Sequence, residues 1–330
     1  MTVLRAALIG CGKIGSGFAD DPRMRGDVFT HAEAYARSAR TELVAVCDAG
    51  PDAAAACGAR WNAPAFTSVG EMLERTRPEV VSVCTPDATH AAVLREVLAH
   101  PRAPRAVLCE KPLATELAQA EALVAEARAR GVVLAVAYMR RHARNLQALR
   151  GWMRDGGMGE VRGVSGWYGK GTLHNGSHWF DLLRMLAGEV RWVRAVDTLG
   201  EGGADPTLDV LLGMENGALA TLRATDASAF TVFEMDVMGS AGRALVTDSG
   251  HRIDVFRAGD SPRYSGYTEL LSQAREFGDR RDPMLHAVDD LAQALETGRP
   301  PACTGEDGVA ALRIGVAALE AARTGGAVSL

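Results

Sequence analysis

Short apolar runs bounded by turn residues alternate with alanine-rich stretches of helical period through the first 137 residues. The runs fall at 3 to 9, 42 to 47, 80 to 84, 106 to 109 and 132 to 137, and each is nearly continuous rather than alternating with polar residues. Strands buried on both faces read this way, and strands separated by crossover helices build a parallel, doubly wound α/β sheet. From Gly159 the pattern changes to longer extended segments joined by tight turns, among them Met214-Glu215-Asn216-Gly217, whose Asn-Gly pair suits a type I′ hairpin. Helices are expected near 143 to 155, 176 to 187, 283 to 297 and 306 to 323, covering one face of a large, open-faced, mostly antiparallel sheet. The expected organisation is thus a doubly wound α/β domain over 1–137 and an α+β domain over 138–330. The polar stretch from 259 to 282 reads as a long surface loop, either bordering a substrate cleft or simply connecting.

At 330 residues, 47% hydrophobic and 23% charged, the chain has room for two ordinary globular cores. A net charge of -5, with arginines spread along the sequence, leaves no electrostatic footprint for nucleic acid or an anionic membrane. The apolar run from Val3 is too short to span a bilayer and has no small-residue cleavage site before the next turn, so a cytoplasmic location is expected. Six cysteines (Cys11, Cys47, Cys57, Cys84, Cys109 and Cys303) show no paired spacing and read as reduced, partly buried thiols. Of 36 basic residues only Lys13, Lys111 and Lys170 are lysines. Each lies in a segment that looks functional, where a compact ammonium with an adjustable pKa does what a guanidinium cannot.

The first of these segments is Gly10-Cys11-Gly12-Lys13-Ile14-Gly15, directly after the first strand. That context gives a G-x-G-x-x-G match meaning: Gly10 permits the tight turn, Gly12 lets backbone approach a pyrophosphate, and Gly15 allows close packing. Asp48 ends the second strand, where a carboxylate accepts from ribose hydroxyls and repels a 2′-phosphate. With Ala49, Gly50 and Pro51 following rather than an arginine, NAD is expected over NADP. Asp48 lies 33 residues beyond Gly15, against about 20 in the usual fingerprint, and the excess falls in Ser16 to Thr30, which reads as an inserted loop. Cys84-Thr85-Pro86 closes the next strand and His90 opens a helix, which puts them with Glu110 at the sheet's carboxyl edge where ligands bind, His90 serving either at the cofactor or as a structural cap.

Glu110-Lys111-Pro112 ends another strand of the same sheet. Lys111 is therefore expected beside the nicotinamide as a donor to a substrate oxygen. At this point the chain resembles the glucose-fructose oxidoreductase / inositol dehydrogenase / rhizopine-catabolism (Gfo/Idh/MocA) family. The resemblance covers essentially the whole chain. It rests on the glycine turn, Cys84-Thr85-Pro86 with His90, Glu110-Lys111-Pro112, Tyr138-Met139-Arg140-Arg141, Gly159-Glu160-Val161, and His178 followed by Asp181. It implies a Rossmann domain plus an open-sheet domain, assembly through that sheet as homodimers or homotetramers, and Lys111 and His178 acting on a substrate hydroxyl or carbonyl. The family's D-x-G-x-H pattern is altered here, because His174 stands at the aspartate position of His174-Asn175-Gly176-Ser177-His178. His174 is expected to bond a sugar hydroxyl or share a proton with His178, and Asn175 to donate and accept without charge.

The expected chemistry is hydride transfer between nicotinamide C4 and a carbinol carbon of a sugar, sugar nucleotide or cyclitol, with His178 carrying the proton. Lys170, Arg140, Arg141 and His174 add positive character that suits an anionic substrate. Two other readings stay open: a non-catalytic NAD-binding sensor, and an enzyme that recycles bound NAD with no net redox change. His174 and His178 have a spacing compatible with zinc, but no third ligand has recognisable spacing and no metal is expected.

Overall fold

In the computed structural model, residues 3–24 and 26–330 are described, and the chain divides into two compact units. The first runs through His142 and takes in Arg281–Val309; the second comprises Ala143–Arg280 and Ala310–Leu330.

The first unit is built on six parallel strands: β1 (Leu4–Ile9), β2 (Thr41–Cys47), β3 (Ala65–Phe66), β4 (Val80–Val83), β5 (Ala106–Cys109) and β6 (Val133–Val136). They lie in the order β3-β2-β1-β4-β5-β6. Every residue of β4 and β5 is buried, as expected of strands covered on both sides. Strand order reverses between β1 and β4, so the turns leaving these two strands flank the crevice where doubly wound folds hold dinucleotides. The helices are α1 (His31–Arg37), α2 (Pro51–Trp61), α3 (Val69–Thr76), α4 (His90–Ala99) and α5 (Leu117–Ala129).

The inserted segment leaves and returns at one place. His31 N–H donates to Ile14 O at 3.2 Å and Ala32 N–H to Gly15 O at 2.9 Å, so α1 starts against the glycine turn although 15 residues intervene. The Thr30 hydroxyl accepts from Glu33 N–H and fixes that start, as in a capping box.

Between them come α6 (Arg144–Trp152) and α7 (Ser177–Ala187), and after them α8 (Pro283–Thr297) and α9 (Gly305–Thr324). Sequence periodicity placed 283–297 on the second sheet, whereas Met284, Ala287, Val288, Leu291 and Ala292 of α8 pack with Leu4, Tyr35, Val80 and Leu108 of the first unit. A helical period fixes the apolar stripe but not which sheet receives it.

The second unit holds a nine-stranded mixed sheet. Its strands are β7 (Val161–Tyr168), β8 (Val190–Val196), β9 (Asp209–Met214), β10 (Leu219–Ala224), β11 (Phe233–Gly239), β12 (Gly242–Thr247), β13 (Arg252–Asp260), β14 (Thr268–Gln273) and β15 (Val328–Ser329). All neighbours are antiparallel except β7 and β10. Burial alternates along β7, β11 and β12, so one face packs under Trp179, Phe180 and Leu183 of α7 while Trp167, Leu219 and Met238 stay exposed.

Two local expectations change. Residues 268–273, read as loop, form edge strand β14 against β13; its mostly exposed positions gave no apolar alternation to detect. The β9–β10 turn is not type I′. Gly217 alone has positive φ (+85°) there, and Asn216 stays out of the left-handed region while its side chain accepts from Ala218 N–H and donates to Ala187 O.

Candidate functional site

In the first unit the glycine turn is shaped by backbone contact. Gly10 has φ +96°, and a Cβ there would lie 2.5 Å from the Cys84 carbonyl carbon; one on Gly15 would lie 2.1 Å from Gly10 O. Gly12 differs, since a Cβ there would meet nothing within 4 Å. No protein atom requires glycine at this position, so its open surface fits close approach by a ligand's pyrophosphate. Lys13 is exposed beside it, and Ile14 is half-buried and packs into the cores on either side.

Asp48 faces the same turn. Its carboxylate accepts from Cys11 N–H and Gly50 N–H, both at 2.8 Å, which fixes the side chain and leaves lone pairs for ribose hydroxyls. Opposite, burial and then the Glu110 charge push the Cys84 thiol well above its ordinary pKa, leaving it inert. Thr85 Oγ1 is buried with no hydrogen-bond partner among the described residues, and Pro86 is exposed. His90, expected at the cofactor, is fully buried; its Nδ1 meets Pro112 O at 2.7 Å and its Nε2 meets Thr85 O at 2.8 Å. Here its visible work is to tie the turn after β4 to the turn after β5.

Lys111 follows β5, half-buried, with a cis peptide bond to Pro112. Its N–H donates to Glu110 Oε2 at 3.1 Å. The other oxygen, Glu110 Oε1, lies 3.0 Å from His31 Nε2; His31 Nδ1 lies 2.8 Å from Ser82 Oγ, and Ser82 Oγ 2.7 Å from Tyr35 OH. His31, Ser82 and Tyr35 are fully buried. Burial pushes the Glu110 carboxyl up, but the His31 hydrogen bond, the Lys111 ammonium and the Lys111 N–H hold it below its usual range. None of His31, Ser82 or Tyr35 was expected from sequence. The available signal was Ser82 itself, a hydroxyl inside Val80-Val81-Ser82-Val83 that a buried strand must satisfy.

Arg141, expected at substrate, is 8% exposed and donates to Asp307 Oδ1 at 3.0 Å and Ala302 O at 3.2 Å, while Arg140 is half-buried. Their neighbour His142 is buried, and burial pushes its pKa down to about 4 against the opposing pull of Asp290.

In the second unit a wide helical turn, Gly171–Gly176, runs straight into α7. Lys170 enters it exposed and left-handed at φ +69°, and Gly171 follows at φ +84°. Asp205 holds the turn open, its carboxylate accepting from Leu173 N–H at 2.6 Å and His174 N–H at 2.9 Å. A carboxylate thus reaches this turn from 31 residues downstream of His174, bonded to main chain. That was not legible in the motif. The His174 ring is exposed, and Asn175 Nδ2 is committed to Gly169 O at 2.8 Å. His178 is 8% exposed in the first turn of α7, one turn before fully buried Asp181. Among the described residues no cluster of three or more His, Cys, Asp or Glu could hold a metal ion, and no helix is long and apolar enough to cross a membrane.

Comparison with known proteins agrees with this geometry. The model of the Gfo/Idh/MocA oxidoreductase family, with its NAD-binding Rossmann fold, matches residues 4–138, and that of the family's C-terminal domain matches residues 168–245. The myo-inositol 2-dehydrogenase of Thermotoga maritima is 27% identical over 344 aligned positions, 96% of this chain and 95% of its own length. The UDP-N-acetylglucosamine 3-dehydrogenase of Acidithiobacillus ferrooxidans is 26% identical, covering 97% and 96%. The WlbA dehydrogenase of Bordetella pertussis, solved with NADH and UDP-GlcNAcA, shares the fold at a TM-score of 0.79 and 23% identity over 99% of both chains. With the glycine turn, Asp48 and Lys111 at the edge of its first sheet, the chain belongs to the Gfo/Idh/MocA family of NAD-binding oxidoreductases.

Proposed function

We propose that this protein is an NAD-dependent dehydrogenase acting on a secondary alcohol of a polyhydroxylated ring: a cyclitol, a sugar or a sugar nucleotide. The observation that carries the reading is the carboxyl edge of the first sheet, where open Gly12, fixed Asp48 and half-buried Lys111 follow three strands of one sheet. Relatives named for inositol and UDP-N-acetylglucosamine support the substrate class. When bound, NAD supplies the hydride acceptor.

Lys111 donates a hydrogen bond to the substrate oxygen, favouring its alkoxide character as the carbinol C–H is lost. His178 takes the hydroxyl proton. Exposed Lys170 and His174 favour a substrate with an anionic group, whereas Arg141, held by Asp307, keeps its turn in place. The bare face of the nine-stranded sheet, with Trp167, Leu219 and Met238 exposed, pairs with a second copy, and Trp167→Glu should then reduce the mass seen by light scattering.

The roles are tested by Lys111→Met and His178→Asn. Each should lower turnover by about 10²- to 10⁴-fold while NAD still raises the melting temperature. Unchanged turnover in either variant removes that residue from the chemistry.

A further inference from the structure

Ser82, His31 and Glu110 have the connectivity of a nucleophile, base and acid, but they do not form a hydrolytic triad. Ser82 is sealed inside β4, and its Oγ is bonded to Tyr35 on one side and His31 on the other. The direction of the chain follows from its buried end. Ser82 is the hydrogen-bond partner of the Tyr35 hydroxyl among the described residues, so Tyr35 O–H donates to Ser82 Oγ. Ser82 O–H then donates to His31 Nδ1, which leaves the His31 proton on Nε2, pointing at Glu110 Oε1. Every group in the chain is then satisfied with Glu110 ionised, and burial pushes the Tyr35 phenol up so that it keeps its proton. The second carboxylate oxygen accepts the Lys111 N–H.

We infer that His31 is a positioning residue of this enzyme: its Nε2–H keeps the buried Glu110 carboxylate ionised and oriented, and that carboxylate fixes the main chain and the electrostatic surroundings of Lys111. The inference rests on the proposed role of Lys111. Among the described residues, the titratable groups seen to act with Glu110 besides His31 are Lys111, Cys84 and Cys109, with Asp87 acting on Cys109 and Tyr35 behind Ser82. Burial holds both thiols neutral well above their ordinary range. Loss of the His31 donor therefore leaves a buried carboxylate that takes up a proton at higher pH than before.

The two ring nitrogens can be separated by substitution. A glutamine amide reaches the place of Nε2, whereas an asparagine amide reaches only that of Nδ1. His31→Gln retains the bond to Glu110, and His31→Asn retains only the bond to Ser82. Because the chain has three lysines, reductive ¹³C-methylation gives a sparse set of resonances, the α-amino signal among them, in which Lys111 is assigned by its loss in Lys111→Arg.

With NAD present, the Lys111 resonance should stay level on titration in the wild type and in His31→Gln. In His31→Asn an inflection should appear that the wild type lacks, displaced upward from the ordinary carboxylate range, absent from Lys13 and Lys170 and abolished in the His31→Asn/Glu110→Gln double variant. Should His31→Asn not fold, His31→Leu carries the same expectation. A level Lys111 trace in the folded donor-less variant, an inflection that survives Glu110→Gln, or one shared by all three lysines overturns the inference. Failure of the catalytic reading looks different: Lys111→Met would keep its turnover whatever these traces show.

Discussion

The glycine turn after β1 and the wide turn before α7 both bend the chain where ordinary side chains do not fit, but they are held in opposite ways. Gly10 and Gly15 are dictated by atoms just past the adjoining strand or a few residues away, at 2.5 and 2.1 Å from a hypothetical Cβ. The second turn carries a non-glycine residue, Lys170, at φ +69° and takes its main-chain acceptors from Asp205. A turn specified by its own glycines is written in six consecutive residues. A turn specified by a distant carboxylate is not, because Asp205 lies outside the motif it holds.

This contrast can be broken at four points. The largest effect is expected from Gly15→Ala, whose methyl has nowhere to go against Gly10 O: about 3 kcal/mol of stability or more should be lost in urea titrations, with NAD no longer protecting the fold. Asp205→Ala should cost about 1 to 3 kcal/mol, because two N–H groups lose their acceptor, and it should lower turnover without weakening NAD binding. Equal loss of NAD affinity would show that the two turns are not independently held.

Smaller still is a pH effect from the first unit. Burial keeps His142 neutral with a folded pKa near 4, below about 6.5 in the unfolded chain, so between these values the unfolded state binds the extra proton. This stability is fully present above about pH 6.5 and is lost as pH falls toward 4. The depressed Glu110 carboxyl also loses stability as pH falls. The urea midpoint should be lower at pH 5 than at pH 7, and His142→Leu should flatten the slope; an unchanged slope would mean that His142 is not the group titrating. The smallest change in stability, within about 0.5 kcal/mol, belongs to Gly12→Ala, although the rise in melting temperature on adding NAD should shrink. Full retention of that rise would remove Gly12 from the pyrophosphate cradle.

Much of the fold was legible because its strands are continuous apolar runs and its helices carry clear stripes. What escaped lacked a local signal. Strand β3 is two residues long, β14 is an edge strand with mostly exposed positions, and the stripe on α8 suits either sheet. In the site, Gly10, Gly12, Gly15, Asp48 and Lys111 stand at strand ends that the pattern locates. His31 does not, because the insertion from Ser16 to Thr30 separates it from the glycine turn and its partners Ser82 and Glu110 lie 51 and 79 residues away. Arg141 shows the reverse limit: a basic residue in a promising motif is occupied by Asp307, 166 residues distant.

The most direct test is absorbance at 340 nm with NAD across cyclitols, free sugars, sugar acids and nucleotide sugars, run in parallel on the wild type and Lys111→Met. NADH should appear from one of these classes with the wild type and almost none with the variant. No NADH from any class, while NAD still raises the melting temperature, would contradict the dehydrogenase reading and point to an NAD-binding sensor or an enzyme without net redox change.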